Sequence, residues 1–186
     1  MLGASTRPPI RLIRIGFGER FIKIGEENVL YRHEKTFYHP PGIVFKVDDT
    51  MPVADIAAVT RQVRDETLTR VGSDLRFNGI AIENSSGSPE RFGEAVAAVE
   101  KQEAHLPPIL IATDPTAMSA ALVHCGTYRP LLHAATMENY KEMCALAKQH
   151  GAPLVIRSDT LDGLVQLAKD CMALGVQDLV LDPAPA

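Results

Sequence analysis

The feature that most restricts this chain is a repeat that starts at Ile43 and runs to its end. Short apolar runs at Ile43 to Val47, Gly79 to Glu83, Pro108 to Ala112, Leu131 to Ala134, Pro153 to Arg157 and Asp178 to Leu181 alternate with longer segments of helical periodicity. Strands separated by helices form right-handed βαβ units, and successive units build a parallel sheet.

The helical segments carry their own punctuation. Pro52 opens the first, with Val53, Ile56, Val63, Leu68 and Val71 at helical spacing until Gly72 stops the run. Ser88 with Pro89 opens the second, whose buried stripe is Phe92, Val96 and Val99. Asp114-Pro115 opens the third, with Met118, Ala121, Leu122 and Cys125 up to Gly126. Thr136 is the expected cap of the fourth, with Tyr140, Met143, Cys144 and Ala147 up to Gly151. Ser158-Asp159 is the expected cap of the fifth, with Leu161, Leu164, Ala168 and Cys171 up to Gly175.

These elements predict an α/β fold: a partial (β/α)8 TIM barrel of about six parallel strands, the alternative being an open parallel α/β sheet. A complete barrel needs about 250 residues, more than the 186 present. Unpartnered edges at Ile43 to Val47 and Asp178 to Leu181 predict a sticky chain. Residues 43–186 are read as the barrel domain and residues 1–42 as a linker, a β-hairpin and a lead-in loop. Arg7-Pro8-Pro9 is stiff, and Ile10 to Ile15 and Phe21 to Ile24 flank a Gly-containing turn. Gly16-x-Gly18 is no dinucleotide fingerprint, because Phe21 stands where the third glycine belongs and no helix follows.

Composition limits function. Hydrophobic residues make up 46% of the chain, enough for a core, but aromatics only 5% with no Trp, so the core is aliphatic. A net charge of −4 argues against a nucleic-acid binder. Cys125, Cys144 and Cys171 are far apart, each on the apolar face of its helix, and read as buried packing thiols. Neither a signal peptide nor an apolar run of about 18 residues is visible, so the expectation is a cytoplasmic protein off the membrane.

Chemistry in parallel α/β folds sits at the C-terminal ends of the strands. The residues there are Asp48, Asp49, Glu83, Asn84, Ser85, Asp114, Thr136, Arg157, Ser158, Asp159 and Asp182. Asp114, Thr136 and Asp159 read more simply as helix caps, which leaves Glu83, Asn84, Arg157 and Asp182 as weak candidates for binding a cofactor. Ser85-Ser86-Gly87-Ser88 precedes a helix and could hold an anion, though a plain loop is the commoner use. The densest polar and aromatic stretch is Val29 to Gly42. Its His33, Glu34 and His39 lack zinc-ligand spacing and a third partner, so packing and hydrogen bonding are the expected roles. No catalytic residue and no metal ligand is assigned.

The stretch V-L-Y-R-H-E-K-T-F-Y-H-P-P-G at residues 29 to 42 resembles the large (gamma) subunit of the corrinoid iron–sulfur protein. That protein serves the carbon monoxide dehydrogenase/acetyl-CoA synthase (acetyl-CoA decarbonylase/synthase) system. The likeness extends to T-R-P-P-I-R at Thr6 to Arg11, R-P-L-L-H-A-A-T-M-E-N-Y at Arg129 to Tyr140, and D-L-V-L-D-P at Asp178 to Pro183.

The resemblance implies a methyl carrier that takes a methyl group from a methyltetrahydropterin through a methyltransferase and delivers it to acetyl-CoA synthase (the Wood–Ljungdahl pathway). It implies a small-subunit partner. It also implies an N-terminal 4Fe–4S module and a C-terminal corrinoid domain, both outside this chain. This chain lacks the cluster's closely spaced cysteines, so no cofactor residue carries over. The expectation is a barrel scaffold without chemistry of its own. The alternatives are a pterin-binding methyltransferase-type barrel with Asn84, Asp114 and Asp182 on the pterin, and an independent open α/β binding module.

Overall fold

The computed structural model describes residues 10–18, 20–26, 39–102 and 105–184. Pro8, Pro9, Tyr31, His33, Glu34, Lys35, Phe37 and Tyr38 lie outside them. The first strands, β1 (Ile13–Ile15) and β2 (Ile22–Ile24), pair antiparallel as the expected hairpin. Six further strands form one parallel sheet: β3 (Val44–Asp48), β6 (Gly79–Glu83), β7 (Pro108–Ile111), β8 (Leu131–Ala135), β9 (Leu154–Ser158) and β10 (Leu179–Pro183). Five helices join them: α1 (Val53–Asp65), α2 (Pro89–Glu100), α3 (Pro115–Cys125), α4 (Tyr140–His150) and α5 (Leu161–Ala173).

Spatial order follows chain order from β3 to β10 without reversal. A doubly wound sheet reverses order and carries helices on both faces, whereas a (β/α) barrel advances in one direction with every helix outside. Two separate cores show which arrangement holds. All five helices pack with Val47, Ile80, Ile82, Leu110, Leu132, Leu154 and Ile156 on one face of the sheet. The other face packs Leu131, Ala134 and Val155, flanked by Val44, Ile109 and Val180, against Ile15 and Ile22 of the hairpin. This is a partial TIM-type barrel, with β3 and β10 at the edges of the sheet.

The hairpin closes the end of the barrel at which the strands begin. Burying a side chain such as Ile22 stabilises by roughly 1.5–3 kcal/mol. Gly79 makes room for it: a Cβ there would stand 2.8 Å from the Pro107 carbonyl oxygen and 3.1 Å from Ile22 Cδ1. Polar bonds fix the hairpin's position. Gly16 N–H donates to the Arg129 carbonyl at 3.0 Å, and Arg129 Nε donates to the Arg14 carbonyl at 2.9 Å. Asp178 accepts from Arg11 Nε and from the Arg129 guanidinium, each at 2.5 Å.

Local structure departs from expectation at four places. The first helix stops at Asp65 rather than running to Val71. Leu68–Arg70 (β4) and Ser73–Leu75 (β5) form a second small hairpin, and Leu68 and Val71 are exposed. The cause is local: Thr67 and Thr69 are β-branched, and Val71-Gly72 turns with φ of 50° and 77°, the pair of positive values a tight hairpin requires. Asn139, not Thr136, is the N-cap of α4. Thr160, not Ser158-Asp159, caps α5, its hydroxyl accepting from Gly163 N–H at 3.1 Å. Leu161 sits in the first turn of that helix, off the buried stripe, and is exposed, with Leu167 packed in the core instead.

A ring of charges at the barrel mouth

Alternation along the strands decides which side chains enter the barrel. In β3, Phe45 and Val47 pack toward the helices while Val44 packs with the inner core, which assigns Lys46 and Asp48 to the inner face as well. The register carries this row around the sheet: Asp48 pairs with Glu83, Glu83 with Ile111 and Ile111 with His133, while Arg157 pairs with Asp182. Between β8 and β9 the register slips by one residue. Leu132 and Ala135 therefore both face the helices, and His133 and Ala134 both face inward.

The result is an interior ring whose charges answer one another. Lys46 Nζ lies 2.6 Å from Glu83 Oε2. Asp182 Oδ2 lies 3.2 Å from His133 Nε2 and 3.8 Å from Arg157. Asp48 is held below the usual carboxylate range, chiefly by the Ser85 hydroxyl and then by the hydroxyl and N–H of Thr50. The Glu83 hydrogen bond raises Lys46 above its ordinary value. Ile111, on β7, separates the two groups of charges.

Above the ring the loops are self-contained. Asp49, buried after β3, accepts from Asn84 Nδ2 at 2.7 Å, Ser85 N–H at 2.9 Å, Ser86 N–H at 2.8 Å and Ser86 Oγ at 2.6 Å. Donors of the Ser85 to Ser88 loop are thus turned to the chain's own Asp49 carboxyl. Asn84 also donates to the Ser88 carbonyl at 3.3 Å. Asp114 caps α3, accepting from Thr116 N–H at 3.0 Å and Ala117 N–H at 3.2 Å. Thr136 N–H donates to Asn139 Oδ1 at 2.7 Å, and Asn139 Nδ2 donates to the Thr113 carbonyl at 2.6 Å. Ser158 Oγ accepts from Thr160 N–H at 3.4 Å. Asp159 is exposed.

The structure therefore brings Glu83, Arg157 and Asp182 onto one inner surface and sets Asn84 in the loop frame behind it. His39 lies at the other end, its Nε2 3.7 Å from Glu26 Oε2. Lys46 and His133 are ring members that the strand-end reading passed over. Each is a single polar residue inside an apolar strand, and that period-2 position was the available signal. Among the described residues, no group of three or more His, Cys, Asp or Glu side chains is placed to hold a metal ion.

Comparison with known proteins supplies the context for this barrel. Residues 12–186 match the family model described as CO dehydrogenase/acetyl-CoA synthase delta subunit. The chain belongs to that family. It is 40% identical over 177 residues to the acetyl-CoA decarbonylase/synthase complex subunit gamma 2 of Methanosarcina thermophila, covering 95% of this chain and 37% of that protein. It is 36% identical over 182 residues to the corrinoid/iron-sulfur protein large subunit of Moorella thermoacetica, covering 98% and 41%. The gamma subunit of Archaeoglobus fulgidus is 39% identical over 178 residues, covering 96% and 37%. The chain thus spans about two fifths of the length of these curated relatives. The gamma-subunit resemblance seen at residues 29 to 42 holds along nearly the whole chain.

Proposed function

We propose that this chain is the barrel scaffold of a corrinoid iron–sulfur methyl carrier, which moves a methyl group from a methyltetrahydropterin to acetyl-CoA synthase. The observation that carries this reading is the family match from residue 12 to residue 186, together with relatives that include a corrinoid/iron-sulfur protein large subunit. The site geometry is in keeping with a scaffold. Each charge of the inner ring has a partner within the chain, and Asn84 and Asp114 are committed to Asp49 and to the α3 cap. Such a surface presents few idle groups to a heterocycle.

The cysteines do not fit a 4Fe–4S cluster. Cys125, Cys144 and Cys171 are buried between helices and sheet, Cys125 donating to the Ala121 carbonyl at 3.6 Å. We therefore place the cluster and the corrinoid outside this chain and route no step through either. Residues 43–186 act as the structural unit, with residues 1–42 leading into it. The partners proposed are the small subunit of the carrier and, through the whole complex, the methyltransferase and acetyl-CoA synthase. Nucleic acid and membrane are not among them, and the location proposed is the cytoplasm. No helix among the described residues is long and apolar enough to cross a membrane.

Co-expression with the small subunit of a corrinoid iron–sulfur protein tests the assignment. The expected result is a complex that survives gel filtration. Two species that elute separately at micromolar concentration would contradict the proposed docking role.

A further inference from the structure

The end of the barrel where the strands begin holds a feature that the scaffold reading leaves unused. A cavity of about 660 Å³ lies between the β1–β2 loop, the ends of α1 and α2, and the start of β7. Its walls are largely apolar, formed by Phe17, Leu106, Pro107, Pro108 and Tyr128. The Gly16-Phe17-Gly18 loop forms one side. Gly16 is required there, since a Cβ at its φ of 91° would stand 2.7 Å from Pro107 Cγ.

Among the described residues, one ionisable group on that wall is without a partner. Arg64 is tied to Asp65 by two bonds, at 2.7 Å and 2.8 Å, and donates to the Gln102 carbonyl at 3.2 Å. Arg20 also interacts with Asp65. Glu100, the last residue of α2, has no hydrogen-bond or ion-pair partner among the described residues, and burial alone pushes its carboxyl up to about 7. Its position at a helix C-terminus makes the lone negative charge costlier still. His105, Tyr128 and the buried Cys125 thiol are the other titratable groups around it. Pockets that combine apolar walls with a few polar groups, here Glu100 with Arg20, Arg64 and His105, are the usual form of small-ligand sites.

We propose that this cavity is a binding site for a small organic cation, an amine or amidine on a flat apolar body, with Glu100 as its anchor and Phe17, Tyr128 and the prolines as its walls. The proposal is independent of the scaffold role. The cation supplies the charge that Glu100 lacks, and the aromatic rings receive the body of the ligand.

Calorimetric titration of the whole chain with benzamidine tests it. The expected result is saturable one-to-one binding in the millimolar range that tightens as pH rises from about 6 to about 8 and Glu100 ionises. Glu100→Gln should weaken binding about tenfold or more, and phenylacetate, the anion of similar shape, should not compete. If Glu100→Gln fails to fold, the pH dependence of the unaltered chain and the phenylacetate control still decide. Absence of saturable binding, binding that Glu100→Gln leaves unchanged, or affinity flat across that pH range would overturn the proposal.

Discussion

The two ends of this barrel are finished in opposite ways. At the mouth, where the strands end, every charge of the inner ring is met inside the chain: Lys46 by Glu83, Asp182 by His133 and Arg157, Asp48 by hydroxyls. At the other end a hairpin seals the interior with Ile15 and Ile22 and leaves beside it a cavity whose Glu100 carboxyl has no partner among the described residues. In enzymes of this fold chemistry lives at the mouth, and the opposite end serves stability. Here the ionisable groups at the mouth are partnered within the chain, and among the described residues the carboxyl without a partner lies at the end usually given over to structure. That contrast is in keeping with the proposed scaffold role.

Substitutions that break one end at a time sharpen the contrast. The largest effect should come from Asp49→Ala, which strands the Asn84 amide, two backbone N–H groups and the Ser86 hydroxyl in a buried loop frame. Chemical denaturation should show a loss of about 3 kcal/mol. Next is Asp178→Ala at the opposite end, which frees Arg11 and Arg129 and unclamps the hairpin. The expected cost is about 1–2 kcal/mol, with amide exchange rising in residues 10–26 while the mouth stays protected. If exchange rose equally at the mouth, the two ends would not be separable.

The smallest effect concerns Glu100 and depends on pH. Burial raises its carboxyl from 4.5 to about 7, so the folded chain holds this proton more tightly than the unfolded chain does. The associated stability is full below pH 4.5 and is lost as pH climbs through about 7. With allowance for solvent screening of a group that is only partly buried, the loss is about 1 kcal/mol. Glu100→Gln should remove this fall, flattening thermal midpoints measured from mildly acid to mildly alkaline pH.

Much of the fold was legible because its signals are local. Ser88-Pro89 and Asp114-Pro115 cap α2 and α3 as their spacing required, and all six strands lie where apolar runs stood. The overrun of α1 to Val71 shows the limit. Leu68 and Val71 keep helical spacing, but the turn at Val71-Gly72 and the neighbouring threonines favour a hairpin. Glu83, Arg157 and Asp182 were visible as strand ends. Lys46 and His133 needed the register, and the inward placing of both His133 and Ala134 needed a slip between β8 and β9 that nothing in L-L-H-A-A announces. Glu100 was invisible for a different reason. Its cavity is assembled from segments far apart in the chain, and no single segment shows that its carboxyl lacks a partner among the described residues.

The central claim, that the mouth is an internally partnered scaffold surface rather than a pterin site, meets its most direct test in titration of the purified chain with methyltetrahydrofolate. Isothermal calorimetry should show no saturable binding. Micromolar one-to-one binding that Asp182→Ala abolishes would contradict the account and support the methyltransferase-type reading built on Asn84, Asp114 and Asp182.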